Sequence, residues 1–204
     1  VVVAEHFTPV PSRLAQPDPA DVAICPRHGD EDAPPAASAL LKADGGRKDM
    51  TMADGIVSVS RRIEAPPERL FALLADTANH PLIDGSGMVR EPAPAVRLSG
   101  TGDSFLMNMH HDEFGDYQMR NDVIEYQAGR RLVWEPVPAT RPDEGGQYRW
   151  GYDLASDGPG ATVVTETFDC SRSPDDIRKA TREGDGWREA MTASLVRLEL
   201  LAAR

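Results

Sequence analysis

The segment from Gly186 to Arg204 constrains this chain most. It reads GWREAMTASLVRLELLAAR. Trp187, Met191, Leu195, Leu198 and Ala202 recur in it at helical spacing, while Arg188, Glu189, Arg197 and Glu199 fall mostly elsewhere around the wheel. A two-sided helix of this kind has one apolar stripe to bury. About five large side chains at roughly 1.5 to 3 kcal/mol each give on the order of 10 kcal/mol to set against the cost of ordering the segment. The helix therefore needs a broad apolar surface to lie on, and the chain upstream has to supply it.

Short alternating strands meet that need. Ile56 to Ile63 alternates with Val57, Val59 and Ile63 on one face. Pro66-Pro67 opens a helix, because a missing N–H costs nothing in the first turn, and Leu70, Phe71, Leu73 and Leu74 give it an apolar stripe. Asn79 to Gly87 reads as one helical turn between two breaks. Pro81 disfavours helical geometry at His80, Gly85 and Gly87 allow tight turns, and Leu82 and Ile83 pin the segment to the body. Further strands are expected at Val89–Leu98, Gly102–His110, Tyr117–Tyr126, Arg131–Pro136, Gln147–Leu154 and Ala161–Phe168, separated by Gly-, Pro- and Asp-rich turns that make an antiparallel meander. Ser173-Pro174-Asp175-Asp176 then signals a helix start, with a capping hydroxyl, a proline and two acids at the positive end of the dipole. A short helix or lid at about 174–183 follows, and Gly184-Asp185-Gly186 interrupts before the final helix.

Residues 1–52 differ from all this. Prolines at Pro9, Pro11, Pro17, Pro19, Pro34 and Pro35 and the acidic run Asp30-Glu31-Asp32 leave no sustained period, so a disordered N-terminal extension is expected, with one domain over 53–204. Met50 and Met52 stand just before the first patterned residue and are candidates for the natural start. A formal net charge of -11 argues against nucleic acid and anionic membrane surfaces, which are bound through basic patches. No apolar run reaches the roughly 18 to 20 residues of a membrane span, and Val1-Val2-Val3 is followed at once by Glu5 and His6, unlike a secretory signal. Cys25 and Cys170 lie far apart and read as reduced thiols. A cytoplasmic location is the expectation.

The order of elements, with the strings His80-Pro-Leu-Ile-Asp-Gly-Ser-Gly87, Trp150-Gly-Tyr-Asp-Leu154 and Val164-Thr-Glu-Thr-Phe168, resembles the START-like or SRPBCC superfamily, and within it the bacterial polyketide cyclase/dehydrase-type proteins. The likeness covers about three quarters of the chain, from Ile56 to Arg204. It implies an α+β helix-grip fold, in which an antiparallel seven-stranded sheet wraps the long C-terminal helix around an internal cavity. Members bind lipids, sterols, polyketides or hormones, and some are cyclases, hydrolases or chaperone regulators. A shared fold does not fix function.

Strand alternation assigns the inward face. Phe105, Met107 and Met109 share one face, as do Tyr117, Met119, Asn121 and Val123, then Leu132 and Trp134, then Tyr148, Trp150, Tyr152 and Leu154. With Trp187 and Met191 these residues would wall an apolar pocket with a few polar handles, the composition of a small-molecule site; the alternative is that they are ordinary core. His80 and Asp84, four apart, form an acid/base pair if they meet on one turn, or else cap that turn. Glu166 is an interior base if Val164 and Phe168 face inward, and solvent-facing if Val163, Thr165 and Thr167 do. No metal site is expected. Cys25 and His28 lack a second pair, and His110 and His111, adjacent on a strand, point to opposite faces. Nor is there a phosphate loop or a Gly-x-Ser-x-Gly elbow to imply a cofactor or a serine nucleophile. The expected function is binding of a hydrophobic or amphipathic small molecule such as a lipid, sterol or polyketide. A cyclase/aromatase-type enzyme in which His80, Asp84, Tyr148, Tyr152 or Glu166 moves protons is the alternative, and a protein-partner module with an exposed apolar patch is a third reading.

Overall fold

A computed structural model describes residues 55–113, 115–145 and 147–204. The expectations for residues 1–52, including the start at Met50 or Met52 and the Cys25–His28 pair, lie outside the described residues. The chain runs β1 (Ile56–Ile63), α1 (Pro67–Leu74), a 3-10 turn (Thr77–Asn79), α2 (His80–Ile83), β2 (Val89–Pro92), β3 (Ser104–His111), β4 (Gly115–Gln127), β5 (Arg131–Pro138), β6 (Arg149–Ser156), β7 (Thr162–Asp169), α3 (Asp175–Ala180), a second 3-10 turn (Asp185–Trp187) and α4 (Arg188–Ala202). The strands form one antiparallel sheet in the order β1-β7-β6-β5-β4-β3-β2. This is the helix-grip arrangement, with α4 on the concave face.

Register follows the side chains. β1 pairs with β7 from Ile56 opposite Asp169 to Ile63 opposite Thr162. Outward hydroxyls meet across the pair, Ser58 with Thr167 at 2.9 Å and Ser60 with Thr165 at 2.8 Å. The same alternation buries Val57, Ile63, Val164 and Phe168 on the inner face. In β4 the register shifts between Val123 and Glu125, and the inserted residue turns Tyr126 to the face Val123 had occupied. Tyr126 then meets Phe71 of α1 edge-on at 5.2 Å.

α4 buries Met191, Ser194, Leu195, Leu198 and Ala202, and Trp187, the first residue of the expected stripe, is buried in the 3-10 turn just before the helix. Leu195 and Leu198 pack with Leu70 and Leu74 of α1, Leu132 of β5, Leu154 of β6 and Val164 of β7. Charged contacts fix the C-terminal end: Arg69 Nε donates to the Ala202 carbonyl at 2.8 Å, and Arg61 Nε, from the inner edge of β1, donates to Glu199 at 2.8 Å. Arg69 satisfies a carbonyl that has no partner within the helix and lies at the negative end of its dipole.

Several local expectations change. β2 stops at Pro92, where a strand to Leu98 was expected, because Pro92 and Pro94 have no N–H to continue a ladder. Beyond them the chain bonds to the end of α1 instead: Leu98 N donates to Ala75 O at 2.8 Å and Val96 N to Thr77 Oγ1 at 2.8 Å. His80 is helical despite the following proline, with φ -56° and ψ -43°, since the preceding 3-10 turn already directs the chain into α2. Of the two residues expected to pin that turn, Ile83 is buried but Leu82 is 53% exposed. Ser173 does not cap α3; its hydroxyl donates to the Gln147 carbonyl and ties the start of α3 to the loop before β6. The break before α4 is sharp, with Arg182, Glu183 and Gly184 all at positive φ.

The turn after α2 lies directly on α4. A Cβ placed on Gly85 would sit 2.1 Å from the Ala190 carbonyl oxygen and 2.6 Å from Ser194 N, both backbone atoms that cannot swing aside. Gly85 N also donates to Ser194 Oγ at 2.9 Å. Gly85→Ala is therefore expected to destabilise the protein by about 2 to 3 kcal/mol, as overpacking against a fixed backbone does, and urea unfolding checks it. Wild-type stability in that variant would mean that the two elements do not touch at this point.

Candidate functional site

The inner face of the sheet and α4 enclose a cavity of about 410 Å³. Two aromatic groups line it. At one end the His80 ring stacks on Trp134 at 5.7 Å and 27° and meets the edge of Phe105 at 5.1 Å, and Trp134 lies 6.0 Å from Tyr152. At the other end Phe168 stands 4.7 Å from Trp150, 5.6 Å from Tyr148 and 5.9 Å from Trp187. Met107, Met109 and Met119 of β3 and β4 and Met191 of α4 fill the wall with adaptable thioethers. The more exposed end is bordered by Arg141, Glu144 and Gln147 before β6 and by Pro174, Asp176, Ile177, Ala180 and Thr181 around α3. The short helix α3 thus borders the cavity.

Glu166 is the unusual group in this space. β7 alternates so that Thr162, Val164, Glu166 and Phe168 all face inward, which decides the orientation left open by the strand pattern. The residue is 5% exposed, and its Oε2 is buried with no hydrogen-bond partner among the described residues. Burial pushes its pKa up to about 8; a hydrogen bond from Tyr152, its neighbour across β6, opposes the rise, and the Asp84 charge adds to it. Near neutral pH the carboxyl is thus mostly protonated. Burial also raises Tyr117, Tyr148 and Tyr152 above the ordinary tyrosine value, so all three phenols stay neutral.

His80 and Asp84 do not form a pair. His80 Nε2 lies 2.9 Å from the Leu74 carbonyl, which can only accept, so Nε2 carries the proton and Nδ1 is the acceptor nitrogen of the neutral ring. Burial lowers the His80 pKa, only partly offset by that bond and by Asp76 and Asp84, and the ring is neutral at pH 7. The Asp84 carboxylate instead holds its own turn, accepting from Ser86 N at 3.0 Å, Ser86 Oγ at 2.7 Å and Val89 N at 3.1 Å. This is the capping alternative, and it leaves Asp84 a border residue of the cavity with its oxygens already bonded.

A family model described as polyketide cyclase / dehydrase and lipid transport matches residues 54–203. The chain belongs to that family. A relative in Mycobacterium tuberculosis, the uncharacterized protein Rv0088, is 31% identical over 135 residues, covering 63% of this chain and 55% of the relative. The chain thus spans about half the length of the curated relatives it matches. Among solved structures, a Rhodobacter sphaeroides protein superposes with a TM-score of 0.57 at 17% identity, covering 74% of this chain and 93% of its own. The Zhui aromatase/cyclase from Streptomyces sp. R1128 gives 0.50 at 14% identity, covering 73% and 93%. These two similarities speak to the fold alone.

Within the family fold, the wall positions assigned by alternation, Phe105, Met107, Met109, Tyr117, Met119, Asn121, Trp134, Tyr148, Trp150, Tyr152, Trp187 and Met191, all line the cavity, as do His80, Asp84 and Glu166. Asn121 is buried and donates from Nδ2 to Met119 O at 3.2 Å. Sequence reasoning missed Phe168, which shares the face of Glu166, and Ile177 and Ala180, three apart on α3; period-two and helical spacing were the signals available. Ser86 and Met88 come from a turn without period and had no signal. The His110-His111-Asp112 string lies at the β3–β4 hairpin, where His110 Nδ1 is 2.7 Å from Asp116. No cluster of metal-ligating side chains occurs among the described residues.

Two outcomes follow. For Glu166 the folded pKa of about 8 lies above the ordinary 4.5, so its contribution is fully present below pH 4.5 and is lost as pH rises through 8. At roughly 1.4 kcal/mol per pH unit the full span is on the order of 5 kcal/mol. Glu166→Gln should remove this dependence, so that the stability of the variant relative to wild type rises steadily between about pH 5 and pH 8 in urea titrations; a constant difference would mean that Glu166 is ionised in the fold. Asp84→Ala should cost about 1 to 3 kcal/mol by orphaning three donors, and thermal unfolding measures it. An unchanged midpoint would remove the capping role.

Proposed function

We propose that the protein binds a small hydrophobic or amphipathic molecule of lipid, sterol or polyketide type between the sheet and α4. The observation that carries this reading is the cavity itself: about 410 Å³, walled by aromatic and methionine side chains and bordered by α3. That size falls within the roughly 300 to 1,000 Å³ of small-molecule sites, and the lining has their composition of apolar walls with a few placed polar groups. The apolar body of a ligand would rest on Trp134, Trp150, Met107 and Met191, with its polar group near Glu166, Tyr152 and Asn121. The family description, which includes lipid transport, agrees with this. A partner-protein module fits less well, because the only exposed large apolar side chains among the described residues are Leu82 and Leu200.

One observation favours a second reading, an aromatase/cyclase-type enzyme. A buried carboxyl that exchanges its proton near pH 8 is suited to general acid/base work, and the Zhui neighbour carries that activity in its name. In that case Glu166, not a His80–Asp84 pair, would move the proton.

Native mass spectrometry of gently purified protein, with solvent extraction of bound material, tests binding. A discrete extra mass is expected, and it should be lost from Ala180→Trp, which fills the cavity border with an indole. A protein that purifies empty and takes up no hydrophobic probe would overturn the proposal. The enzymatic reading requires Glu166→Gln to abolish turnover of a poly-β-keto substrate while retaining its binding.

A further inference from the structure

Two buried polar atoms in the cavity have no hydrogen-bond partner among the described residues, Glu166 Oε2 and Trp187 Nε1. Their residues are only 5% and 6% exposed, and both line the cavity. Orphaned buried polar groups are costly, on the order of 1 to 3 kcal/mol each, so a bound molecule that satisfies them gains selectivity as well as affinity. The indole N–H can only donate. The carboxyl has no cation to pair with. Its cross-strand neighbours are Val59 on β1 and Tyr152 on β6, and Asp84 on the turn after α2 is the charged group that acts on it; His80, Tyr117, Tyr148, Met191 and Ser194 line the same cavity. The one arginine that lines the cavity, Arg141, lies at its border and is bonded to Glu144 at 3.0 Å. A carboxylate without a counter-charge is costly in such a place, so near neutral pH the group keeps its proton and donates.

The rest of the lining points the same way. Asp84, Glu144, Glu166 and Asp176 are its acids, against Arg141 alone among lysines and arginines. Phe168 lies two residues beyond Glu166 on the same strand face, about 7 Å along β7, and its ring is 5.9 Å from that of Trp187. The two donors thus come from different elements, β7 and the turn before α4, and the Phe168 ring lies beside that of Trp187.

Resting on the reading that the cavity binds a small molecule, we infer that it selects neutral ligands carrying two separated hydrogen-bond-accepting oxygens, such as ketones or esters, and rejects carboxylates and other anions. Glu166 and Trp187 are the two donors that make the selection. Raising the pH ionises Glu166, removes one donor and sets a negative charge against the ligand oxygen. The other titratable groups facing it keep their state: His80 is held neutral by burial, and Tyr117, Tyr148 and Tyr152 titrate above their ordinary value.

Calorimetric titration with three probes of equal chain length tests this: a medium-chain keto ester with its carbonyls several carbons apart, the matching alkanesulfonate and the matching alkanol. At about pH 6 the keto ester should bind at least roughly tenfold more tightly than the sulfonate. Going to about pH 9.5 should weaken the keto ester about tenfold in wild type and less than about twofold in Glu166→Gln, which keeps an N–H donor and cannot ionise. Trp187→Phe, which retains a ring against Trp150 and Phe168, should weaken it several-fold and leave the pH response intact. A sulfonate that binds as well as the keto ester, or a keto ester affinity indifferent to pH and to both substitutions, overturns the inference while the binding site stands. Failure of all three probes, the alkanol included, overturns the binding reading and this inference with it.

Discussion

The contact of Leu195 and Leu198 with the sheet and α1 is what the rest of the structure depends on, because the cavity begins where that contact ends. On that side Leu195 and Leu198 share one buried core with Leu154, Leu132 and Val164 of the strands. Farther back along α4, at Met191, the facing positions on β6 and β7 are Trp150 and Phe168. Large rings on those strands cannot interdigitate with a helix as closely as leucines do. The helix is fixed at its far end by Arg61 and Arg69 and alongside by the Gly85 turn, so it cannot tilt to close the gap. A curved sheet anchored to a helix at one end must either leave a hollow or fill it with side chains, and here it does some of each.

Electrostatics give that hollow its character. It contains a carboxyl without a cation, phenols kept neutral by burial and an imidazole whose proton is committed to a backbone carbonyl. The charged networks of the molecule lie elsewhere: Arg131 with Glu125 and Asp153, and Arg149 and Arg172 with Glu135, all on the outer face of the sheet. Such surface pairs contribute little to stability individually. Their value here is in where they put the charge, which is outside. Within the cavity the one arginine of the lining, Arg141, stands at the border bonded to Glu144, and burial keeps the Glu166 carboxyl protonated near neutral pH.

Much of this was legible beforehand, for reasons that differ by element. The strand faces were readable because a side-chain period of two leaves no choice once one residue is known to be inside, and so Tyr148, Trp150 and Tyr152 fell on the cavity wall together. Glu166 was readable only as a pair of alternatives, because Val163, Thr165 and Thr167 are as strand-like as Val164 and Phe168. The pairing of His80 with Asp84 was a reasonable inference from spacing, and it failed because carboxylate oxygens next to a Gly–Ser turn find nearer donors in Ser86 and Val89. β2 was overextended because prolines read as strand-compatible in φ yet cannot donate to a ladder.

By itself, then, the sequence determined the elements and their order, the apolar stripe of α4, the inward rows of β3 to β6 and the absence of a nucleotide loop or nucleophile elbow, since each of these is a local pattern of period or spacing. Tertiary structure alone decided which polar side chains find partners. Orphaned donors at Glu166 and Trp187, the tautomer of His80 and the close approach of Gly85 to α4 all depend on atoms brought together from distant parts of the chain. Hydrogen bonding and desolvation act over a few ångströms of space, and no spacing along a chain records that distance.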